Sequence, residues 1–382
     1  MRSRSAIASL ASVVALAATS VFARGGAFDV RSMFHHGDHP VRVGRAPQGV
    51  GDGTTEGCAR CHAEIAAEWR ESQHALSWSD EVFQAAYAIE PMQFCRNCHA
   101  PESRVARVPD VRSQREGVSC SVCHVRDGHV VGPGRVAHTR GVHAFEPVVA
   151  MRTTAFCEGC HQFNFPGDSG PAGELFATDE PMQDTHAEWA MSASAARGEH
   201  CQSCHMPEVT GADGRRHRSH RFPGGSDRAL LSRAVRVEGT ARIVGGETVV
   251  RITVSPDRIG HSFPTGDLFR RAELVVWLDG DEAHAQTVAM ARAFRPVLER
   301  DPHGRVAFVR RQSDDTRVPP PGTGAIEPNV LRFASPARAV RWRLDHLLMP
   351  SPMAASQGFG EPRVRTLIAE GTLDVASQGE SP

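Results

Sequence analysis

The run Cys58-Ala-Arg-Cys61-His62 is the first of five copies of one short pattern in a chain of 382 residues. In each copy two residues separate a pair of cysteines, and a histidine follows the second cysteine. The other copies begin at Cys95, Cys120, Cys157 and Cys201, and the five copies use all 10 cysteines. In a C-x-x-C-H run both thiols bond to a c-type haem and the histidine ligates its iron. The sequence therefore predicts five covalently bound c-type haems.

The predicted attachment residues fall into two sets. The haem-binding thiols are those of Cys58, Cys61, Cys95, Cys98, Cys120, Cys123, Cys157, Cys160, Cys201 and Cys204. The proximal iron ligands are His62, His99, His124, His161 and His205. A single C-x-x-C is also typical of half a zinc site or of a thioredoxin-like redox pair. Neither alternative explains a histidine after every second cysteine or a spacer of constant length.

His74 is the first candidate for the opposite, distal side of an iron. It follows His62 by twelve residues in a stretch from Ala63 to Tyr87 that has no Gly or Pro and predicts one helix. On a continuous helix the two histidines would lie about 18 Å apart along the axis. That separation is too large for one iron, so His74 is predicted to serve a neighbouring haem.

Five further histidines are candidate distal ligands in loops. His129, His138 and His143 follow the third motif on a Gly-rich path that can fold back over a haem, and one of the three, with His138 or His143 preferred, is predicted to ligate. His220, in preference to His217, is predicted to return to the fifth haem. His261 lies in the loop Gly260-His-Ser-Phe-Pro-Thr-Gly266, where it either ligates iron or stabilises the loop.

A weak internal repeat connects the first and fourth motifs. The segment 184–192, which contains Glu188-Trp189, echoes Glu68-Trp69 and its neighbours in 67–72. Ser194 stands where His74 would be expected. The second copy therefore lacks that ligand, with His186 and Met191 as possible substitutes.

The N-terminal residues 1–23 have the order of a secretory signal peptide, with arginines, an apolar run and small residues at the cleavage site. An uncleaved, membrane-associated anchor is the alternative. Because c-type haem is attached outside the cytoplasm, the periplasm is the predicted compartment. Residues 24–57 predict an irregular arm that carries His35, His36 and His39.

The rest of the chain divides where the cysteines end. Residues 58–228 predict a mainly α-helical and irregular pentahaem cytochrome c domain, because Pro and Gly interrupt its apolar runs. Residues 229–375 show period-two alternation with β-branched residues, as in Val249–Val254, and predict an antiparallel β-sandwich. Residues 376–382 predict a polar tail.

Charge and composition restrict the classes of partner. The formal net charge is -1 and all 43 basic residues are arginine. A balanced charge on an exported protein argues against nucleic-acid binding, and the absence of lysine excludes a C-x-x-C-K haem. Arginine is well suited to pairing with haem propionates. The predicted partners are other periplasmic redox proteins, and no membrane span is predicted once the signal is removed.

Residues 58–225 resemble the cytochrome c-554 family, which shares its haem arrangement with hydroxylamine oxidoreductase. The resemblance rests on Cys58 to His74, on Gly117 to His124 and on the closing Cys201 to Pro207. The β domain with its 260–266 loop resembles a common appendage of such cytochromes. The resemblance implies closely packed bis-histidine haems, His74 as a ligand to a haem other than its own, and a five-coordinate haem at His99. A fifth haem is a departure from the tetrahaem family.

These predictions favour an electron carrier over a substrate-converting enzyme. Iron held by two imidazoles has no open position for substrate. The alternative is an oxidoreductase that acts on a small nitrogen or sulfur compound at one five-coordinate haem. A third hypothesis makes the β domain a binding module with the haems as its electrical contact.

Overall fold

The computed structural model describes residues 50, 52–103, 108–126, 128–134, 143, 145–168 and 175–376. The predicted signal peptide, most of the predicted arm, the last six residues of the tail and His138 lie outside these residues.

The described residues form 13 short α-helices. They are α1 Thr55–Ala59, α2 Ala63–Arg70, α3 Glu81–Ile89, α4 Gln93–His99, α5 Val111–Glu116, α6 Cys120–His124, α7 Ala155–His161, α8 Thr185–Ala190, α9 Ala193–Ala196, α10 Cys201–His205, α11 Arg228–Leu231, α12 Ser351–Ser356 and α13 Glu361–Val364. Two 3-10 turns, Val149–Arg152 and Glu282–His284, complete the helical elements of this part of the chain.

The same residues form 15 β-strands. They are β1 Val125–Arg126, β2 His129–Gly132, β3 Phe145–Pro147, β4 Phe163–Asp168, β5 Leu175–Gln183, β6 Glu208–Thr210, β7 Arg216–Arg218, β8 Val235–Val244, β9 Glu247–Pro256, β10 Arg271–Leu278, β11 Gln286–Arg300, β12 Val306–Asp315, β13 Asn329–Phe333, β14 Ala339–Leu347 and β15 Arg365–Ala376.

Four of the five C-x-x-C-H motifs lie at the end of a short helix. Helices α4, α6, α7 and α10 each end at the histidine of their motif. Residues three and four apart share one face of a helix. The two cysteines and the histidine of each motif therefore point to the same side.

The prediction of one continuous helix from Ala63 to Tyr87 is wrong, because the helix is interrupted between Arg70 and Glu81. Helix α2 ends at Arg70, turns occupy 71–79, and α3 begins at Glu81 with Asp80 as its N-cap. The hydroxyl of Ser72 donates to the Trp69 carbonyl at 2.6 Å and accepts from the Ala75 amide at 3.3 Å. This local bonding competes with the helical ladder, so His74 lies in a turn.

Ten strands hydrogen-bond into one sheet in the order β13-β9-β8-β15-β14-β10-β11-β12-β4-β5. The predicted strands of 229–375 are present, but the described strands form one large sheet, and a sandwich is not confirmed. The pairing of β15 with β8 is parallel, in contrast to the antiparallel prediction. Strands β4 and β5 come from the predicted haem domain, so the sheet crosses the predicted boundary near 228.

The main apolar core lies on this sheet. Ile252, Leu274, Val276 and Leu344 have no exposed surface, and alternate residues of β10 are buried, as expected when one face of a strand is covered. The haem segment has only small apolar clusters among its described residues. None of the helices in the described ranges is long and apolar enough to cross a membrane.

Candidate haem sites

A single cavity of about 2260 Å³ runs along the helical segment and reaches the sheet. All ten cysteines and all five motif histidines line it. A pocket for one ordinary ligand has about 300 to 1,000 Å³. The size of the cavity and the type of its lining residues therefore fit several large prosthetic groups.

Three histidine pairs face each other across this cavity at nearly the same distance. The ring centroids are 6.3 Å apart for His74 and His161, 6.2 Å for His124 and His220, and 6.3 Å for His205 and His261. Two metal–nitrogen bonds of about 2 Å each, plus about 1 Å from each nitrogen to its ring centre, give about 6 Å. Each gap therefore fits one metal ion between two imidazoles.

The His74 and His161 rings both line the cavity. Burial lowers the pKa of His74 to about 3 and that of His161 to about 4. Both imidazoles are therefore neutral, which is the form that ligates metal. The side-chain nitrogen of Gln183 lies 3.1 Å from Nδ1 of His161.

The other two pairs are oriented by backbone carbonyls. Nδ1 of His124 lies 3.0 Å from the Val131 oxygen, and Nδ1 of His220 lies 2.8 Å from the Arg218 oxygen. In the third pair, Nδ1 of His205 lies 2.7 Å from the Pro223 oxygen. A ring that donates from Nδ1 presents an unprotonated Nε2, the arrangement typical of metal-bound histidine.

His62 and His99 have no second histidine ring at this spacing among the described residues. Nδ1 of His99, which is half-buried, lies 2.7 Å from the Ser77 oxygen, and the centroid of the Phe83 ring stacks 3.7 Å from that of His99. Tyr87 in turn stacks on Phe83 at 5.7 Å. The histidines of the first two motifs therefore have no facing histidine in the part of the chain that the structure describes, whereas those of the other three motifs do.

The other candidate ligands have varied surroundings. His143 lines the cavity, whereas His129 pairs with Glu146 at the surface. His217 contacts Glu68 at 3.2 Å, and His186 lies 3.8 Å from Glu158. Within the described residues, the rings of His129, His186 and His217 neither stack with nor face a motif histidine.

Thiols of different motifs touch each other at three places. Cys58 hydrogen-bonds Cys120, Cys157 hydrogen-bonds Cys201, and Cys98 hydrogen-bonds Cys160. The two haems that each pair of neighbouring cysteines would hold would therefore lie close together.

Sequence reasoning missed the roles of two buried carboxylates, Glu68 and Glu188. Glu68 contacts the loop of His220, and Glu188 contacts the loop of His261. The two loops share the pattern H-x-F-P-x-G, at 220–225 and 261–266. The repeated H-x-F-P-x-G pattern, together with the repeated Glu-Trp dipeptide, is the sequence signal that could have predicted the contact between each glutamate and a histidine loop.

The five motifs, four of them at helix ends, their common cavity and the facing histidines define a multihaem c-type cytochrome. Residues 57–125 match the family model described as Cytochrome c554 and c-prime. Electron transfer is accordingly its general function.

The fold is similar to the crystal structure of a penta-heme cytochrome c552 from Thermochromatium tepidum. The TM-score is 0.64 at 20% sequence identity, and the match covers 86% of this chain and 100% of that chain. No curated protein matches the sequence.

Proposed function

We propose that this protein is a periplasmic pentahaem electron carrier that passes electrons between redox partners. The three histidine pairs with ring centroids 6.2 to 6.3 Å apart carry this proposal. When bound, haem supplies an iron that exchanges single electrons. The pairs His161 with His74, His124 with His220, and His205 with His261 would fill both axial positions of the fourth, third and fifth haems.

The chain's own residues hold the imidazoles in the form and orientation that this function needs. Burial keeps them neutral, and carbonyls on Nδ1 fix the ring planes. Fixed ligands on both sides exclude substrate and limit structural change between the redox states. Such sites favour outer-sphere electron transfer over bond-making chemistry.

The cysteine contacts suggest the order of the haems. Cys58 with Cys120 connects the first and third haems, and Cys157 with Cys201 connects the fourth and fifth. Cys123 of the third motif lies near Cys157 and Cys160 of the fourth, so the third haem would lie close to the fourth. Cys98 of the second motif contacts Cys160 of the fourth, so the second haem would lie beside the fourth. The path is therefore first, third, fourth and fifth haem, with the second haem as a branch.

The two ends of this path are the exposed ones. Cys61 of the first motif and Cys204 of the fifth are exposed, whereas the other eight cysteines are half-buried. Electrons would therefore enter and leave at the first and fifth haems. Periplasmic redox partners would meet these ends through the small interfaces that are typical of transient electron-transfer complexes.

The test begins with protein matured in a host that attaches c-type haem. Mass spectrometry is expected to show five tetrapyrrole adducts, and the oxidised absorption spectrum to be dominated by low-spin haem. Bare or disulfide-linked thiols would overturn the cytochrome proposal itself. A mainly high-spin spectrum from fully loaded protein would overturn axial ligation by the three histidine pairs.

A second candidate function rests on His99. No described histidine faces it, and the aromatic rings of Phe83 and Tyr87 lie on its side of the cavity. An open second haem would support an oxidoreductase that acts on a small nitrogen or sulfur compound. Binding of carbon monoxide or nitric oxide by the reduced protein would support this function. If neither gas changes the spectrum, the haem is closed and the enzyme proposal fails.

A further inference from the structure

Two Glu-Trp dipeptides, Glu68-Trp69 in α2 and Glu188-Trp189 in α8, make matching contacts. The indole of Trp69 donates to the Val118 carbonyl at 2.9 Å, and that of Trp189 donates to the Glu199 carbonyl at 2.7 Å. Each carbonyl lies two residues before the first cysteine of a motif, the third or the fifth. Each tryptophan therefore fixes the entry to the helix that carries a proximal histidine.

The adjacent glutamates hold the loops on the other side of the same haem sites. Glu68 accepts from the His220 amide at 2.8 Å and contacts Nε2 of His217 at 3.2 Å. Glu188 accepts from the Thr265 hydroxyl at 2.7 Å and from Arg317 at 2.6 Å. The same Arg317 nitrogen lies 3.3 Å from the Pro264 carbonyl, so Glu188 holds its loop through two partners.

The two loops correspond in sequence and in position. His220-Arg-Phe-Pro-Gly-Gly225 and His261-Ser-Phe-Pro-Thr-Gly266 both follow the pattern H-x-F-P-x-G. His220 faces His124 of the third motif, and His261 faces His205 of the fifth. Each Glu-Trp dipeptide thus contacts both the proximal helix and the distal loop of one site.

We propose that each Glu-Trp dipeptide is an axial clamp, which sets the distance between the two histidines of one haem. Glu68-Trp69 clamps the third haem site and Glu188-Trp189 clamps the fifth. The glutamates are positioning residues, because they act through the loop and do not touch iron. This inference rests on the proposed function, since it requires haem between the facing histidines.

Burial is the second argument for this role. Glu68 is 9% exposed and Glu188 is 2% exposed. A buried carboxylate is costly unless charged or hydrogen-bonding partners compensate it, and loss of one partner leaves the other uncompensated. Here the compensating donors come from the distal loops and from Arg317, which itself binds one loop. The burial of each glutamate is therefore linked to the position of a distal histidine.

The test compares Glu68→Ala and Glu188→Ala with the conservative variant Glu68→Gln. A glutamine at 68 can still accept from the His220 amide and can donate to His217, so it is expected to restore the native spectrum. Glu56→Ala is the matched control, because Glu56 makes an exposed ion pair with Arg70, a residue of the first repeat. The readouts are haem content by mass and spin state by electron paramagnetic resonance.

In each alanine variant we expect full haem content and conversion of one haem to a high-spin or altered low-spin signal. Glu68→Gln and Glu56→Ala should retain the native spectrum. Native signals in both alanine variants at full haem load would overturn the clamp but not the cytochrome. If an alanine variant does not accumulate, Thr265→Val removes one bond of Glu188 without a charge change, and a native signal there also overturns the clamp. Absence of haem from the native protein would instead overturn the proposed function.

Discussion

The ring of His74 lies 6.3 Å from the ring of His161, although the two residues belong to different halves of the helical segment. Phe222 packs edge-on against His74 with ring centroids 4.3 Å apart, which adds a third segment to the same place. A haem bound here would connect three distant parts of the chain. Haem attachment and folding of this segment are therefore expected to depend on each other.

The first prediction concerns His74. His74→Ala should leave five attached haems but convert one from low-spin to high-spin, because the fourth haem loses its distal imidazole. Exogenous imidazole should restore the low-spin signal by occupying the vacated space. His129→Ala is the control, since His129 makes only a surface ion pair with Glu146. An unchanged spin state in His74→Ala would assign the distal side of this haem to another residue.

The second prediction concerns the order of the haems. Removal of the first haem by Cys58→Ala with Cys61→Ala should alter the paramagnetic resonance of the third haem, because Cys58 and Cys120 are in contact. The signal of the fifth haem should remain native, because its contact is with Cys157. A change confined to the fifth haem would contradict the proposed path.

The attachment sites could be predicted from sequence because their geometry is local. A C-x-x-C-H run brings its three functional side chains to one helical face whatever surrounds it. The distal partners could not be paired in this way. Which loop returns to which haem depends on contacts such as Glu68 with the His220 amide and Glu188 with Thr265, and these connect residues far apart in the chain.

The β region shows the same division between local pattern and long-range pairing. Strands β8, β9 and β10 could be predicted because their alternate residues are apolar and buried. Strands β11 and β12 were missed, because they are largely exposed and carry many charges. The single sheet order was also not predictable, since β4 and β5 join it from the haem segment.

The third prediction concerns Gly117, which supports the turn of His74. Its φ is +51°, and a Cβ there would lie 2.6 Å from the His74 carbonyl oxygen and 2.5 Å from Ser77 Oγ. Gly117→Ala should lower the free energy of unfolding by about 2 to 4 kcal/mol, since backbone strain and a steric clash add. It should also disturb the haem served by His74.

Gly214→Ala is the matched control for this substitution. Gly214 also has a positive φ, +76°, but no atom of the described residues lies within 4 Å of the place that a Cβ would occupy there. Gly214→Ala should lower the free energy of unfolding by about 1 kcal/mol, from backbone strain alone. Denaturant titration monitored by absorption would compare the two variants. Equal losses of stability would show that contact with the His74 turn has no effect.

The last prediction uses His346, a buried histidine of β14 that faces no motif histidine among the described residues. Burial lowers its pKa to about 3, and its Nδ1 has no hydrogen-bond partner in the part of the chain that the structure describes. The unfolded chain binds a proton at this residue below about pH 6.5, whereas the folded chain stays neutral. Stability from this residue is therefore present above pH 6.5 and is lost as the pH falls towards 3.

Protonation of His346 in the unfolded chain should lower the free energy of unfolding by about 3 kcal/mol between neutral pH and pH 4. His346→Leu should therefore flatten the dependence of unfolding free energy on pH between 6.5 and 4, while histidines bound to iron do not titrate in this range. His284→Leu is the control, because His284 is 80% exposed. Unfolding of the haem-loaded proteins across this pH range provides the measurement. If His346→Leu keeps the native slope, the acid sensitivity arises from other groups and the neutral burial of His346 is wrong.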